Sequence, residues 1–170
     1  MGTVTAMSDE ALADLIADLT RHGLTVATAE SLTGGGLVAR LVDVPGASHV
    51  VRGGACTYAV DTKASVLGVS ASRLELTGPV DEQVARQMAR GARTLFRADI
   101  GVSTTGVAGP GPADGFPAGT VHIACVHPGG GEHRLLHLEG DRAAVRAGAI
   151  DAALALVRDV LDFAGEQAGD

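Results

Sequence analysis

Aromatic residues are almost absent from this sequence. It contains no tryptophan, one tyrosine and three phenylalanines, and these aromatic residues make up only 2% of the 170 residues. A hydrophobic core must therefore be built mainly from Ala, Val, Leu and Ile, whose small side chains suit close packing of helices on a sheet. The length is that of one domain that buries its core without disulfides. We expect a single domain over residues 1–170, with its core at about residues 8–163.

Other shortages exclude classes of function. The net charge is −7 and no basic stretch stands out, which argues against nucleic acid as the main partner. The two cysteines, Cys56 and Cys125, have neither disulfide nor metal spacing, so we expect free thiols in a reducing cytosol and no metal site. No apolar run approaches the length of a membrane span, and the N-terminus lacks the pattern of a signal peptide. We therefore expect a cytoplasmic protein that does not bind a membrane.

Lysine is nearly absent as well. Lys63 is the only lysine among 13 lysine and arginine residues, and the only tyrosine, Tyr58, lies shortly before it. Arginine keeps its proton in proteins, whereas burial or a neighbouring cation can neutralise the amine of a lysine. The position that retains lysine is therefore a candidate for proton transfer. The alternative is a surface lysine without a special role.

Helical and strand patterns alternate along the chain, as in α/β proteins. Ser8 predicts the start of a first helix and Gly23 predicts its end. Five strands are predicted, the last two as a hairpin, at residues 24–29, 50–59, 100–104, 119–127 and 133–138. Four further helices are predicted at residues 37–41, at the short segment around residue 63, at residues 81–96 and from residue 141 onward.

This order of elements predicts a three-layer α/β/α sandwich. Its sheet is expected to be mixed but mostly parallel, with about five strands of which one is antiparallel. The helix at residues 81–96 has a helical stripe of apolar residues that we expect to be buried: Val84, Met88, Ala92 and Leu95.

Three loops follow strands at the edge where α/β sheets bind ligands. The first loop offers the hydroxyl of Ser31, and the second offers Lys63 as a possible base with Tyr58 as a hydroxyl relay. The third loop offers backbone N–H groups around Thr105 and Gly106. A nucleophile, a base and an oxyanion site are what acyl transfer requires, and serine–lysine pairs are a known variant of the catalytic triad.

Each of these features has a simpler interpretation. A serine before a helix commonly serves only as a cap, and a glycine-rich turn is as often a packing device as a phosphate site. The turn after Ser31 also lacks the Gly-Lys-Ser/Thr ending of a P-loop. Arg142 and Arg146 lie one helical turn apart, and they could bind either a ligand phosphate or the carboxylates of a neighbouring element.

Taken together, the motifs resemble the CinA C-terminal-domain family. The segment Ala-Glu-Ser-Leu-Thr-Gly-Gly at residues 29–35 is similar to the family signature Ala-Glu-Ser-Cys-Thr-Gly-Gly. Further motifs of the family follow in the same order at residues 44–48, 53–63, 67–69, 105–110, 119–121 and 140–142. The sequence departs from the family pattern at Leu32, at residues 59–61 and at residues 77–80, which leaves the substrate preference open.

The resemblance implies a cofactor-free enzyme that hydrolyses the carboxamide of nicotinamide mononucleotide to nicotinate mononucleotide and ammonia. By position, Ser31 would be the nucleophile, Lys63 its base and Tyr58 an assistant in proton transfer. The residues implied at the oxyanion, substrate and phosphate sites are Thr33, Gly34, Thr105, Gly106 and one arginine of the pair Arg142 and Arg146.

The resemblance also implies an anticodon-binding-domain-like fold, a stand-alone form of the domain and a homodimer or higher homo-oligomer. A nucleotide-binding module without catalysis, acting as a sensor or as the partner of another enzyme, is the alternative. It would retain the glycine loops and the arginines but would need neither Ser31 nor Lys63. A competence- or DNA-damage-associated partner protein is a further alternative, whereas a purely structural scaffold for DNA-uptake machinery fits the acidic composition least well.

Overall fold

A computed structural model describes the backbone of residues 3–167 and the side chains up to residue 162. The six helices in this part of the chain are α1 Asp9–His22, α2 Gly36–Val42, α3 Val60–Leu67, α4 Ala71–Thr77, α5 Glu82–Leu95 and α6 Arg142–Gln167. The five strands are β1 Val26–Glu30, β2 Val51–Cys56, β3 Ile100–Gly106, β4 Thr120–His127 and β5 Gly130–His137. A short 3-10 turn, Ala47–His49, precedes β2.

The strands form one sheet in the order β2-β1-β3-β4-β5. β1 pairs in parallel with both β2 and β3, and the pairs β3–β4 and β4–β5 are antiparallel. Four strands therefore run in one direction and β4 alone opposes them. This confirms the predicted mixed sheet with a single antiparallel strand.

Helices cover both faces of the sheet. The larger cluster of buried side chains joins α1, α2 and α6 to one face, and it includes Leu15, Leu37 and Leu156. The second cluster joins α3, α4 and α5 to the other face, and it includes Leu67 and Met88. The predicted three-layer α/β/α sandwich is confirmed, and its core consists of aliphatic side chains as the composition requires.

The helix ends follow local sequence signals. The Ser8 hydroxyl accepts a hydrogen bond from the backbone N–H of Ala11, and Gly23 ends α1 with a φ of 64°, in the left-handed region that favours glycine.

The prediction that Leu95 is buried is wrong: 49% of the residue is exposed. Leu95 is the last residue of α5, and the residue after it, Phe96, packs against the buried cluster of this face instead.

Two further elements differ from their predictions. α4 has no counterpart among the predicted helices, and β2 ends at Cys56, so Tyr58 lies in the loop before α3 rather than in the strand. Among the helices of residues 3–167, none combines the length and the apolar character that crossing a membrane would require.

The strand ends define a notch at one edge of the sheet. β1, β2 and β3 run in the same direction, so the loops that follow them meet at this edge. β1 ends at Glu30, which lies opposite Thr104, whereas β3 continues to Gly106. The end of β3 is therefore left without a neighbouring strand on the β1 side.

Candidate active site

Ser31 and Lys63 meet in the notch at the end of β1. Ser31 is the first residue after β1, and Lys63 lies in the first turn of α3, the helix that follows β2. Lys63 Nζ lies 2.9 Å from Ser31 Oγ, within hydrogen-bond distance. The lysine residue has no exposed surface and the serine is only 8% exposed. The pair is therefore screened from bulk water.

The surroundings of Lys63 weaken its hold on a proton. Burial lowers the pKa of the amine from 10.5 to about 8, because the charged form loses its hydration, while the nearby Cys56 and Asp114 side chains act in the opposite direction. The amine also donates hydrogen bonds to the backbone carbonyls of Thr57 and Tyr58. Lys63 can thus be neutral in a substantial fraction of molecules slightly above neutral pH.

A buried carboxylate shapes the turn that carries Ser31. Glu30 is 1% exposed, and its two oxygens accept hydrogen bonds from the N–H groups of Leu37 and Val38, at 2.8 and 3.0 Å. These N–H groups belong to the first turn of α2, where a helix leaves its donors unsatisfied and favours negative charge. The Thr33 hydroxyl donates to Glu30 at 2.7 Å. Glu30 therefore ties both ends of the turn together.

Sequence reasoning did not assign a role to Glu30. The available signal was an acidic residue at the end of a buried strand, a position where a carboxylate is rare unless it is paired.

Arg146 holds the same turn from the outside. Its guanidinium donates to the backbone carbonyls of Leu32 and Thr33, both at 3.0 Å. The arginine pair of α6 is thereby divided, because the donors of Arg146 are engaged with the turn while Arg142 lies at the pocket.

Thr33 and Gly34 support the turn rather than line the pocket. Thr33 is fully buried, and its hydroxyl also lies 2.8 Å from the hydroxyl of Thr104. Gly34 has a φ of 61°, and a Cβ added there would lie 3.5 Å from the Arg146 guanidinium. The structure thus places these two residues behind Ser31, and not among the residues that face the cavity.

A cavity of about 250 Å³ opens in front of Ser31 and Lys63. Arg142 lies at its wall, where the guanidinium donates to the Gly109 carbonyl at 2.6 Å and to the Tyr58 hydroxyl at 3.1 Å. Tyr58 is 60% exposed. Among the hydrogen bonds of residues 3–162, none joins the Tyr58 hydroxyl to Ser31 or Lys63, and Tyr58 contacts the lysine amine through its backbone carbonyl instead.

Gly106 presents its backbone to the cavity. Val107 exchanges hydrogen bonds with the β4 side, since its N–H donates to Thr120 and its C=O accepts from Gly119. Thr104 faces the β1 side, where its carbonyl accepts from the N–H of Ser31 at 3.0 Å. Because backbone groups alternate along a strand, Gly106 faces the β1 side as well. β1 has ended there, so the N–H and C=O of Gly106 point toward Ser31 with no strand beside them.

The neighbouring Thr105 is oriented differently. It pairs with His122 of β4, and its hydroxyl donates to the Pro79 carbonyl at 2.8 Å. Of the two residues predicted at the oxyanion site, Gly106 is therefore the one whose backbone faces the nucleophile. A side chain is also excluded at Gly106, because a Cβ would lie 2.4 Å from the Thr120 carbonyl oxygen.

Comparison with known proteins gives consistent matches over most of the chain. The family model described as CinA C-terminal domain matches residues 9–161. A "CinA-like protein" from Frankia casuarinae is 47% identical over 143 residues, which are 84% of this chain and 33% of that protein. The chain spans about a third of the length of the curated relatives it matches.

Solved structures match the fold as well. The competence/damage inducible protein CihA from Agrobacterium tumefaciens has a TM-score of 0.86 and 36% identity, covering 95% of this chain and 99% of that chain. A competence-damaged protein (CinA) superfamily protein from Escherichia coli has a TM-score of 0.86 and 34% identity, covering 93% of this chain and 95% of that chain.

Proposed function

The chain belongs to the CinA C-terminal domain family, and we propose that it is an amidohydrolase that converts nicotinamide mononucleotide to nicotinate mononucleotide and ammonia. The observation that carries this proposal is the contact of 2.9 Å between Ser31 Oγ and the fully buried amine of Lys63. A hydroxyl and an amine of lowered pKa at this distance have the arrangement of an activated nucleophile. The choice of substrate rests on the motifs that the chain shares with its family.

Hydrogen bonding orients neutral Lys63 as a base toward Ser31. A neutral amine has two N–H bonds and one lone pair, and the carbonyls of Thr57 and Tyr58 lie within reach of the two N–H bonds. The lone pair then points to the remaining neighbour, the Ser31 hydroxyl. Lys63 accepts the hydroxyl proton as Ser31 Oγ attacks the carboxamide carbon.

The backbone of Gly106 is suited to bind the reacting carboxamide. In the tetrahedral intermediate the carbonyl oxygen becomes negative, and the N–H of Gly106 faces the space beside Ser31 where it can donate to that oxygen. The C=O of Gly106 faces the same way and can accept from the amide NH₂ group. A primary carboxamide offers one acceptor and one donor side by side, which matches this exposed strand end.

The remaining proton transfers use the same lysine. Protonated Lys63 gives its proton to the amide nitrogen, and the carbon–nitrogen bond breaks. Ammonia is released, and the acyl group remains bound to Ser31 as an ester. Water then attacks this ester while Lys63 accepts the proton of the water, and Ser31 recovers its proton as the carboxylic acid product departs. We assign binding of the substrate phosphate to Arg142, because it lies at the cavity wall while the donors of Arg146 are engaged with the Ser31 turn.

Ammonia release from nicotinamide mononucleotide by the purified protein tests the proposal. We expect wild-type protein to form ammonia and nicotinate mononucleotide in equal amounts, and Ser31→Ala to abolish both. Ser72→Ala, at an exposed position on α4, is the matched control and should retain full activity. Binding of the mononucleotide without ammonia release, unchanged by Ser31→Ala, would instead support a nucleotide-binding module.

A further inference from the structure

The cavity in front of Ser31 contains one carboxylate, that of Asp114. Asp114 lies in a tight turn closed by two hydrogen bonds between Ala113 and Phe116, at 3.0 and 2.9 Å. Asp114 and Gly115 have φ values of 52° and 82°. Positive φ at both central residues is the pattern of a type I′ turn, for which Asp-Gly is a preferred sequence. The turn therefore holds the backbone of Asp114 in a defined conformation at the cavity wall.

The Asp114 carboxylate has no protein partner in the described part of the chain. None of the hydrogen bonds or ion pairs among residues 3–162 includes it, although it is close enough to Lys63 to raise the pKa of that amine. The other exposed charge at the cavity, Arg142, is already bonded to Gly109 and Tyr58. An anionic group thus faces the space that a substrate would occupy and is free to pair with a cation.

We propose that Asp114 is a specificity residue that selects carboxamides carried on a cationic aromatic ring over those on a neutral ring. This inference rests on the proposed function, which places the carboxamide carbon at Ser31 and the attached ring in the cavity. A positive ring bound there lies near the carboxylate and is attracted to it. The turn would then act in substrate choice as well as in chain reversal.

The same arrangement favours the reactive form of the enzyme. A cationic ring beside Lys63 repels the protonated amine and so favours the neutral amine that accepts the proton of Ser31. Asp114 offsets the repulsion that would otherwise weaken binding of the ring. Substrate charge and lysine protonation are thereby linked through one carboxylate.

Two forms of one ligand isolate this interaction. Nicotinamide mononucleotide has a cationic ring, whereas its 1,4-dihydro form has a neutral ring with the same carboxamide, ribose and phosphate. We would measure the dissociation constants of both by calorimetry on a Ser31→Ala background, which prevents turnover. Asp114→Asn is the test variant, and it retains the turn because Asn-Gly also favours type I′ geometry. Asp14→Asn, at an exposed position of α1, is the matched control.

We expect the cationic form to bind about fivefold more tightly than the neutral form, the preference to vanish in Asp114→Asn, and Asp14→Asn to preserve it. A preference that survives Asp114→Asn, an equal weakening of both forms, or no binding of either form would overturn the inference. Failure of the proposed function appears separately, as absence of ammonia release by the wild-type protein. The ratio of the two dissociation constants decides the role of Asp114 in either case.

Discussion

Lys63 Nζ lies 2.9 Å from Ser31 Oγ, although the two residues are 32 positions apart in the sequence. The contact follows from sheet topology, because β1 and β2 are parallel neighbours and their following loops emerge at the same edge. Ser31 is the first residue of the loop after β1, and Lys63 lies in α3, the helix that follows the loop after β2. The proposed catalytic pair is therefore positioned by the pairing of two neighbouring strands of the sheet.

Replacing Lys63 by arginine should abolish ammonia release. The guanidinium keeps the positive charge but does not lose its proton, so it does not act as a base. We expect kcat to fall by about a thousandfold or more, with nicotinamide mononucleotide as substrate. Circular dichroism should show that the fold is retained. A Lys63→Arg protein with most of the wild-type activity would refute the assignment of the base.

The activity should rise with pH up to the lysine pKa. Neutral Lys63 is the reactive form, and its pKa is about 8, so kcat/KM should increase through neutral pH and level off above about 8. Asp114 raises this pKa, and Asp114→Asn should therefore move the midpoint of the pH–rate profile to lower pH. A profile that is flat between about pH 6 and 9 would contradict the role of Lys63.

Replacing Lys63 by methionine should stabilise the protein while removing its activity. The folded pKa lies below the unfolded value of 10.5, so at pH 7 the wild-type fold holds a proton less firmly than the unfolded chain does. The protonated, buried amine therefore destabilises the fold. This destabilisation is fully present below about pH 8 and disappears as the pH rises to 10.5.

Methionine has no such charge, and we expect the free energy of unfolding at pH 7 to increase by about 1–2 kcal/mol in urea denaturation. The gain should shrink as the pH rises from about 8 toward 10.5, because above 10.5 the wild-type amine is neutral in both states. Lower stability of Lys63→Met at pH 7 would show that the hydrogen bonds of the amine outweigh the cost of its burial.

Replacing Glu30 by glutamine should reduce kcat more than it changes KM. Glutamine turns one acceptor oxygen into an NH₂ group, which would face the N–H donors of Leu37 or Val38. The Ser31 turn would shift, and a displacement of about 1 Å can cost about a hundredfold in rate. The midpoint of the pH–rate profile should stay in place, because Lys63 keeps its own contacts.

Glu75→Gln, an exposed change on α4, is the control for Glu30→Gln and should have wild-type kinetics. A lower melting temperature together with a normal kcat at temperatures where Glu30→Gln is fully folded would indicate that Glu30 acts only on the fold.

Stability should fall in mild acid because of a histidine pair. His122 Nδ1 and His133 Nε2 lie 2.9 Å apart between β4 and β5, and burial lowers the pKa of both below 6.5. Asp81 and Glu82 raise these pKa values and partly offset the burial. The unfolded histidines bind protons first as the pH falls, so stability declines from about pH 6.5 downward.

The melting temperature measures this effect. Between about pH 7.5 and 5.5, we expect the melting temperature of His133→Gln to decrease less than that of the wild-type protein, because one of the two buried imidazoles is removed. His49→Gln, at an exposed site, should behave as wild type. The same pH dependence in all three proteins would exclude the histidine pair as its source.

Local signals and sheet topology account for what the sequence predicts well. Ser8 and Gly23 define α1 through contacts within a few residues, and the alternation of strands and helices is sufficient for the confirmed three-layer fold. The exposure of Leu95 was not predictable from its helical spacing, because periodicity does not show which residue at the end of a helix the tertiary packing covers, and here it is Phe96. α4 is short, and its amphipathic pattern is correspondingly weak.

The support of the site depends on distant contacts that no local pattern encodes. Arg146 reaches the Ser31 turn from a position more than a hundred residues later in the chain, so its two carbonyl contacts are visible only in the fold. The orientation of Gly106 depends on where β1 stops relative to β3. The sequence motifs predicted which residues lie around the site. Which of them line the cavity and which support the Ser31 turn is decided by packing, and the motifs do not show it.

The complete burial of Lys63 has a practical consequence for chemical labelling. Since it is the only lysine, the folded chain presents no lysine side chain to amine-reactive reagents. Acylation of Lys63 by a bulky activated ester therefore requires the structure around it to open. The rate of that modification, followed by mass spectrometry, would report local opening at the candidate active site from a single natural residue without an introduced probe.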